Sequence, residues 1–406
     1  MQIFSRLRRG ILTRLAWLCS AVLLGTGGAV QHYARVLPDQ FAAGSGGTVT
    51  VPALLPVTLH RAADTAVQQA ELRLFGMIPV KTVLLTDARP VSVYVGGEPF
   101  GIRMLTEGVM VVSLGSVPTA EGTVRPAEDA GIEVGDIIRS VSGQSIRSNA
   151  DLQRLVSASE GKPVTVSFLR DGAEQSVTVS PAFSETGRRW QTGMWVRDST
   201  AGIGTVTYYT PPVNGQVQFG GLGHAVCDAD TGEQIPLRSG DVAAVSISEV
   251  IAGTAGKPGE LRGGFDEKAG TGTLLENTPC GVFGVMDALP RRRLLLPLGS
   301  AQDIRRGGAV IWTTLHGTEP EAFTVRIEEI RSGHREYRDL VLRVTDERLL
   351  RETGGIVQGM SGSPIVQDGR LVGAVTHVFV RDPTRGYGIF AENMYGEACR
   401  LPQTAE

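Results

Sequence analysis

The chain has 406 residues, of which 39 are Lys or Arg and 42 are Asp or Glu, for a formal net charge of -3 at pH 7. So even a balance gives no basic field for nucleic acid or an anionic surface, which leaves proteins or small molecules as partners. The length allows two or three domains rather than one compact fold, and 52 Gly with 21 Pro forecast a turn-rich, mainly β chain.

In chain order, Arg6, Arg8, Arg9 and Arg14 precede an uncharged run from Leu15 to Val30. A basic flank ahead of an apolar segment predicts export, with the basic side kept cytoplasmic. Residues 1–30 are therefore expected to be a signal peptide or a membrane anchor. The run is short of the ~20 residues of a free-standing span. Gly27 and Ala29 offer small residues for cleavage, and the lack of a clean A-x-A favours the anchor. Residues 31–70 show little periodicity and are expected to be an exposed linker that is easily cut. Residues 71–95 hold two β-type runs, a short β lead-in. Cys19 lies in the apolar run; Cys227, Cys280 and Cys399 remain, an odd number without C-x-x-C, so at most one pair and no zinc site are expected.

From 96 to 183 the pattern sharpens. "PAEDAGIEVGDIIRSVSGQSI" predicts a short helix, a Gly turn and an apolar strand. Ser148 or Asn149 caps a second helix, and Asp171-Gly172 joins two closing strands as a hairpin. This run resembles the PDZ domain, an α+β unit of five to six strands and two helices. The resemblance implies that an extended peptide adds a strand, its C-terminal carboxylate held by the N–H groups of an apolar-Gly-apolar loop. Phe100, Gly101 and Ile102 occupy the matching position in this sequence.

From 187 to 402 short strands such as "GIGTVTYY", "GAVIWTTL" and "LVGAVTHVFV" alternate with Gly and Pro turns, and only "DERLLRET" reads as helix. A closed or sandwiched antiparallel architecture follows. Within it lies "GMSGSP", Gly359 to Pro364. A serine attacks an acyl carbon only if a base takes its proton and donors await the oxyanion. Glycines on both sides let the turn expose Ser361 Oγ and aim the N–H groups of Gly359 and Ser361 at one point. Ser363, followed by Pro364, is the poorer candidate.

Six histidines compete for the base. His32 and His60 fall in the linker, His316 and His334 in turns, and His377 in the strand after the serine, where it is the runner-up. His224 lies in "GGLGHAVCDADTG", where Gly220, Gly221 and Gly223 leave room around its ring. Spacing does not select the carboxylate that would orient it: Asp228, Asp230, Asp241 and Asp346 all qualify, and Asp346 equally suits a helix N-cap.

The GxSGxP loop with its following strand resembles the nucleophile loop of trypsin-like serine peptidases of the double β-barrel fold. "LFGMIPVKTV", the PDZ-like run, "GGLGHAVCDADTG" and "TGGIVQGMSGSPIVQDGRLVGAVTHVFVRDPTRGYGIF" together resemble the stage IV sporulation protein B peptidases of endospore-forming bacteria, from Leu74 to Phe390. That resemblance implies a triad of His224, Asp346 and Ser361 and no cofactor or metal. It implies export across the forespore inner membrane into the intermembrane space, N-terminal anchoring until self-cleavage, and cutting of a membrane-protein regulatory subunit. Removal of that subunit would release an intramembrane protease that activates a late sigma factor. A PDZ-bearing adaptor with an inactive protease-like domain and an envelope quality-control protease are the alternatives.

Overall fold

The computed structural model describes residues 17, 20, 25–35, 37, 40–43, 55–61, 69–87, 91–213, 215–331 and 337–400. Most of the expected anchor, and His334, lie outside the described residues. No helix among the described residues is long and apolar enough to cross a membrane.

Helical residues 25–35 (α1) lead to β1 (Gln40–Ala43), β2 (Val57–Arg61), β3 (Gln69–Leu74) and β4 (Ile78–Asp87). These strands form a sheet of order β1-β4-β3-β2. Ala70, Leu72 and Leu74 alternate onto one face and bury against Val83, Tyr33 and Leu37. Part of the expected linker is therefore built into a small sheet with its own core, because a period-2 apolar face must be covered. β5 (Ser92–Val95) then runs into the main body.

β6 (Pro99–Leu114) belongs to two structures at once. Its first half alternates, with Ile102 and Met104 buried and Arg103 and Leu105 exposed, as a barrel strand requires. Its second half pairs at Val109 and Met110 with β9 of the PDZ-like unit. That unit comprises β7 (Val117–Thr119), β8 (Gly122–Val124), α2 (Pro126–Asp129), β9 (Ile137–Val141), β10 (Gln144–Ser145), α3 (Asn149–Ala158), β11 (Val164–Arg170), β12 (Ala173–Val179), β13 (Ala182–Ser184) and β14 (Arg189–Gln191). Ser148 caps α3 by accepting from the Asp151 N–H, and Asp171-Gly172 turns β11 into β12 with Arg170 opposite Ala173. β15 (Met194–Tyr209) returns, pairing with β6 from Met194–Leu114 to Thr205–Pro99.

The PDZ-like unit is thus inserted between the first two strands of a barrel, which corrects the expected boundaries of 96–183 for it and adds β6 to the peptidase domain expected over 187–402. Phe100, Gly101 and Ile102 are corrected with them. They lie mid-strand between β15 and β17 (Leu237–Ile251), with Phe100 and Ile102 buried. A Cβ on Gly101 would sit 2.1 Å from the Phe265 ring. A strand paired on both edges has no free N–H row for a peptide terminus.

β16 (Val217–Gly221), β17, β18 (Glu260–Thr278) and β19 (Gly281–Met286) complete the first barrel in the order β6-β17-β18-β19-β16-β15, closed by the β6–β15 pairing. β20 (Leu295–Pro297) pairs with β5 outside it. The second barrel contains β21 (Gly307–Thr313), β22 (Glu321–Ile330), β23 (Leu340–Val344), β24 (Pro364–Gln367), β25 (Arg370–Phe379) and β26 (Asp382–Phe390), closed in the order β21-β22-β23-β26-β25-β24. α4 (Glu347–Thr353) precedes β24, and α5 (Ala391–Ala398) follows β26. Ile311, Leu340, Leu342, Leu349, Ile365 and Val375 fill the second core with no exposure; truncating one of them to Ala costs about 2–5 kcal/mol. The chain is mainly β, a double barrel with a PDZ domain. Cys227, Cys280 and Cys399 are free thiols.

Candidate active site

The loop after β16 carries His224 from the first barrel, and the loop before β24 carries Ser361 from the second. Glycines let the first loop press inward: a Cβ on Gly220 would meet Tyr208 at 2.8 Å, and one on Gly223 would meet Ile389 at 2.9 Å and Thr376 at 3.0 Å. His224 is half-buried, and its Nδ1 lies 2.7 Å from the carbonyl of Ala225. That bond fixes a proton on Nδ1 and leaves Nε2 as the basic nitrogen. Burial pushes the His224 pKa below its ordinary value, against the opposing bond to Ala225. The imidazole therefore stays neutral, as a base must.

Ser361 Oγ donates to the carbonyl of Thr376 at 2.7 Å. The next residue, His377, lays its ring against His224 with centroids 4.7 Å apart. Desolvation against this wall, then the nearby His224 and Arg338, push His377 down to about 4. The two loops thus meet beside Thr376 and His377 of β25.

The nucleophile loop is held by its carbonyls. Thr205 Oγ1 donates to Gly359 O at 2.7 Å, Thr205 N to Ser361 O at 2.9 Å, and Thr207 Oγ1 to Gly362 O at 2.7 Å. The amides divide in two. Those of Met360, Gly362 and Ser363 donate to Val357, Val375 and Met360. Those of Gly359 and Ser361 have no protein acceptor among the described residues. Gly359 at φ +97° and Gly362 at φ +96° adopt angles that disfavour side chains, and a Cβ on Gly362 would lie 1.9 Å from Thr205 O. The glycine frame forces this split, which leaves two donors beside the serine for an oxyanion. Ser363 is buried with no hydrogen-bond partner for its Oγ among the described residues, out of reach of a substrate.

The carboxylates fall elsewhere. Asp346 caps α4, accepting from the N–H groups of Arg348 and Leu349 and from Thr324 N at 3.3 Å, and it pairs with the Arg348 side chain. Burial opposes its charge, but Arg348 and those N–H groups together hold its carboxyl below the usual range. Among the described residues none of its hydrogen bonds reaches His224, so the expected orienting role gives way to the N-cap. Its short side chain is satisfied by the helix start it precedes. Asp228 and Asp230 both bind Arg197, and exposed Asp241 lies 3.7 Å from Arg103. His316 pairs with Glu352, His32 packs edge-on against Tyr33, and His60 lies on β2 opposite Glu71.

Thr205, Thr207 and Thr376 escaped the sequence reading. The alternating threonines of "GTVTYY" in an otherwise apolar strand were the available signal. A second cleft was also missed. It has a volume of about 290 Å³ and lies between α3 and the stretch from Arg189 to Val196, with Leu152, Val156, Trp190 and Met194 in its walls. Among the described residues, 194–196 pair with β6 on one edge and with no strand on the other.

Residues 188–395 match the family model described as SpoIVB peptidase S55, and residues 125–170 match a PDZ-domain model. A Mesorhizobium japonicum protein named as a candidate zinc metalloprotease is 45% identical over 60 residues, 15% of this chain and 16% of that protein. The chain thus spans about a sixth of that relative. Among solved structures, the PDZ domain of an SdrC-like protein from Listeria monocytogenes is 18% identical with a TM-score of 0.18, covering 22% of this chain and 87% of that one. An M. tuberculosis H37Rv protein, crystallised as an inactive serine-to-alanine mutant, is 14% identical with a TM-score of 0.27, covering 50% and 83%.

Proposed function

We propose, from the premise that this chain belongs to the SpoIVB peptidase S55 family of serine peptidases, that Ser361 is the nucleophile and His224 its general base in peptide hydrolysis. Ser361 Oγ turns from the Thr376 carbonyl toward Nε2 of His224, gives up its proton and attacks the scissile carbonyl. The N–H groups of Gly359 and Ser361 receive the oxyanion. His224 then protonates the leaving amine and activates the water that frees the acyl-enzyme. The observation that carries this mechanism is that the amides of Gly359 and Ser361 have no protein acceptor among the described residues, in a loop where those of Met360, Gly362 and Ser363 are bonded. The Ala225 carbonyl orients the imidazole, and Asp346 contributes by capping the helix that leads to the loop. Asp228, Asp230 and Asp241, the other candidates, are held in ion pairs with Arg197 and Arg103.

We further propose that the chain is exported, remains anchored through its basic-flanked apolar segment until it cuts itself within residues 31–70, and then cleaves the regulatory subunit of an intramembrane protease in sporulation signalling. Likeness to the family and the arginine-flanked run from Leu15 to Val30 support this role. Intact-mass analysis tests both parts. The native chain is expected to shorten within 31–70 and Ser361→Ala to keep its full mass. Turnover that survives in Ser361→Ala removes the nucleophile.

A further inference from the structure

One strand, β15, touches three separate parts of the molecule. Its start, with Gly193, forms a wall of the cleft against α3, where Trp195 is 66% exposed and the 194–196 edge is open. Such an edge facing a helix accepts an extended peptide as an added strand. Its far end holds the nucleophile loop through Thr205 and Thr207. Between them Arg197, one residue beyond the cleft, reaches across to Asp228 and Asp230, the latter at 2.7 Å.

Those two carboxylates belong to the block that follows His224. Asp228 has a side chain only 1% exposed and accepts from the N–H groups of Asp230 and Thr231, both at 3.0 Å. Asn277 pins the same block, accepting from Val226 N at 2.8 Å and donating to the carbonyls of Val226 and Ile235. The turn from Val226 to Ile235 is therefore held as a unit, and Ala225, whose carbonyl holds His224 Nδ1, directly precedes it. The β6–β15 ladder is irregular on both sides of Arg197, with register shifts at Trp195/Val196 and at Arg197/Ser199. A bulge loosens pairing and re-aims the side chains beside it, so the segment carrying Arg197 is a soft part of its ladder with β6.

We propose that Arg197 is a positioning residue through which an extended peptide, added along Gly193–Val196, sets the orientation of His224. A peptide strand on the open edge straightens the bulged segment and holds Arg197 on Asp228, which steadies the turn and with it the Ala225 carbonyl. Occupancy of the cleft then raises kcat with little change in KM, because the base loop, not the substrate site, is what it orders. The inference rests on the serine-peptidase assignment for its kinetic arm only.

The test uses the full chain, an extended Val-rich pentapeptide as probe, and a separate chromogenic peptide substrate. The probe is expected to raise native kcat several-fold and to slow amide exchange over residues 224–231. Arg197→Met is expected to lose about 10-fold or more in kcat, to keep KM, and to show neither response; Arg197→Lys restores part of both. Asp230→Asn removes only the exposed half of the link and guards against a folding defect in Arg197→Met; it should weaken the response. If Arg197→Met responds to the probe like the native chain, in rate or in exchange, the proposal is overturned. A native chain that cleaves no substrate counts against the peptidase assignment, while the exchange arm still decides the coupling.

Discussion

The two loops that meet beside β25 are secured by different means. The nucleophile loop is tied by main-chain carbonyls to two threonine hydroxyls and to β25, and its conformation is dictated by two left-handed glycines. The base loop is tied by side chains: the Arg197 pairs, the Asn277 amide and the His377 ring. Bonds among neutral backbone groups answer weakly to pH and salt, whereas ion pairs and imidazoles answer to both. One half of the chemistry is thus built rigid and the other adjustable.

The contrast breaks most visibly in the rigid half. Gly362→Ala places a methyl 1.9 Å from the Thr205 carbonyl at a positive φ. It is expected to lower stability by about 3 kcal/mol or more and to abolish turnover, read by denaturant unfolding and by substrate assay. A variant of native stability would show that the loop is not fixed as described.

In the adjustable half the expected signature is pH. His224 is shifted below the ordinary 6.5 and His377 to about 4. The unfolded chain therefore binds protons first as pH falls, so the contribution of these histidines to stability declines below about 6.5, for His377 down to about 4. His377→Gln is expected to flatten part of that decline in melts taken across this window. In the native chain the acid limb of kcat/KM should lie below 6.5; a limb above it would contradict the burial of the His224 ring.

The smallest effect sharpens the contrast at Asp346. Asn also caps helices, so Asp346→Asn should leave kcat within about 2-fold, while Asp346→Ala costs about 1 kcal/mol of stability. A loss of about 10⁴-fold in the Asn variant, the size expected when an orienting carboxylate is removed, would return Asp346 to the catalytic group.

The sequence made some of this legible and hid the rest for physical reasons. The nucleophile turn and the glycines around His224 could be read because close approach and positive φ demand particular residues locally. So could the Ser148 cap and the Asp171-Gly172 turn. The insertion could not be read, because the pairing of Pro99 with Thr205 joins segments far apart in the chain and nothing in β6 marks where it passes from barrel to PDZ domain. Phe100-Gly101-Ile102 had the apolar-Gly-apolar pattern of a carboxylate loop, and the same pattern suits a barrel strand whose glycine admits the Phe265 ring. Asp346 carried both meanings from the start, and only its bonds to Thr324 and Arg348 separate them.

The inserted domain also bears on the order in which the chain folds. Closing the first barrel means bringing β6 to β15 across everything between Leu114 and Met194, an entropic cost that grows with the length of open chain. Those two residues are themselves partners in the ladder, so once the insert has collapsed around its own core the cost has largely been met. The barrel then closes as though across a short turn. His224 precedes Ser361 in the chain, so a partly made chain carries its base without its nucleophile, and completion of the insert acts as a timer on the first half of the site.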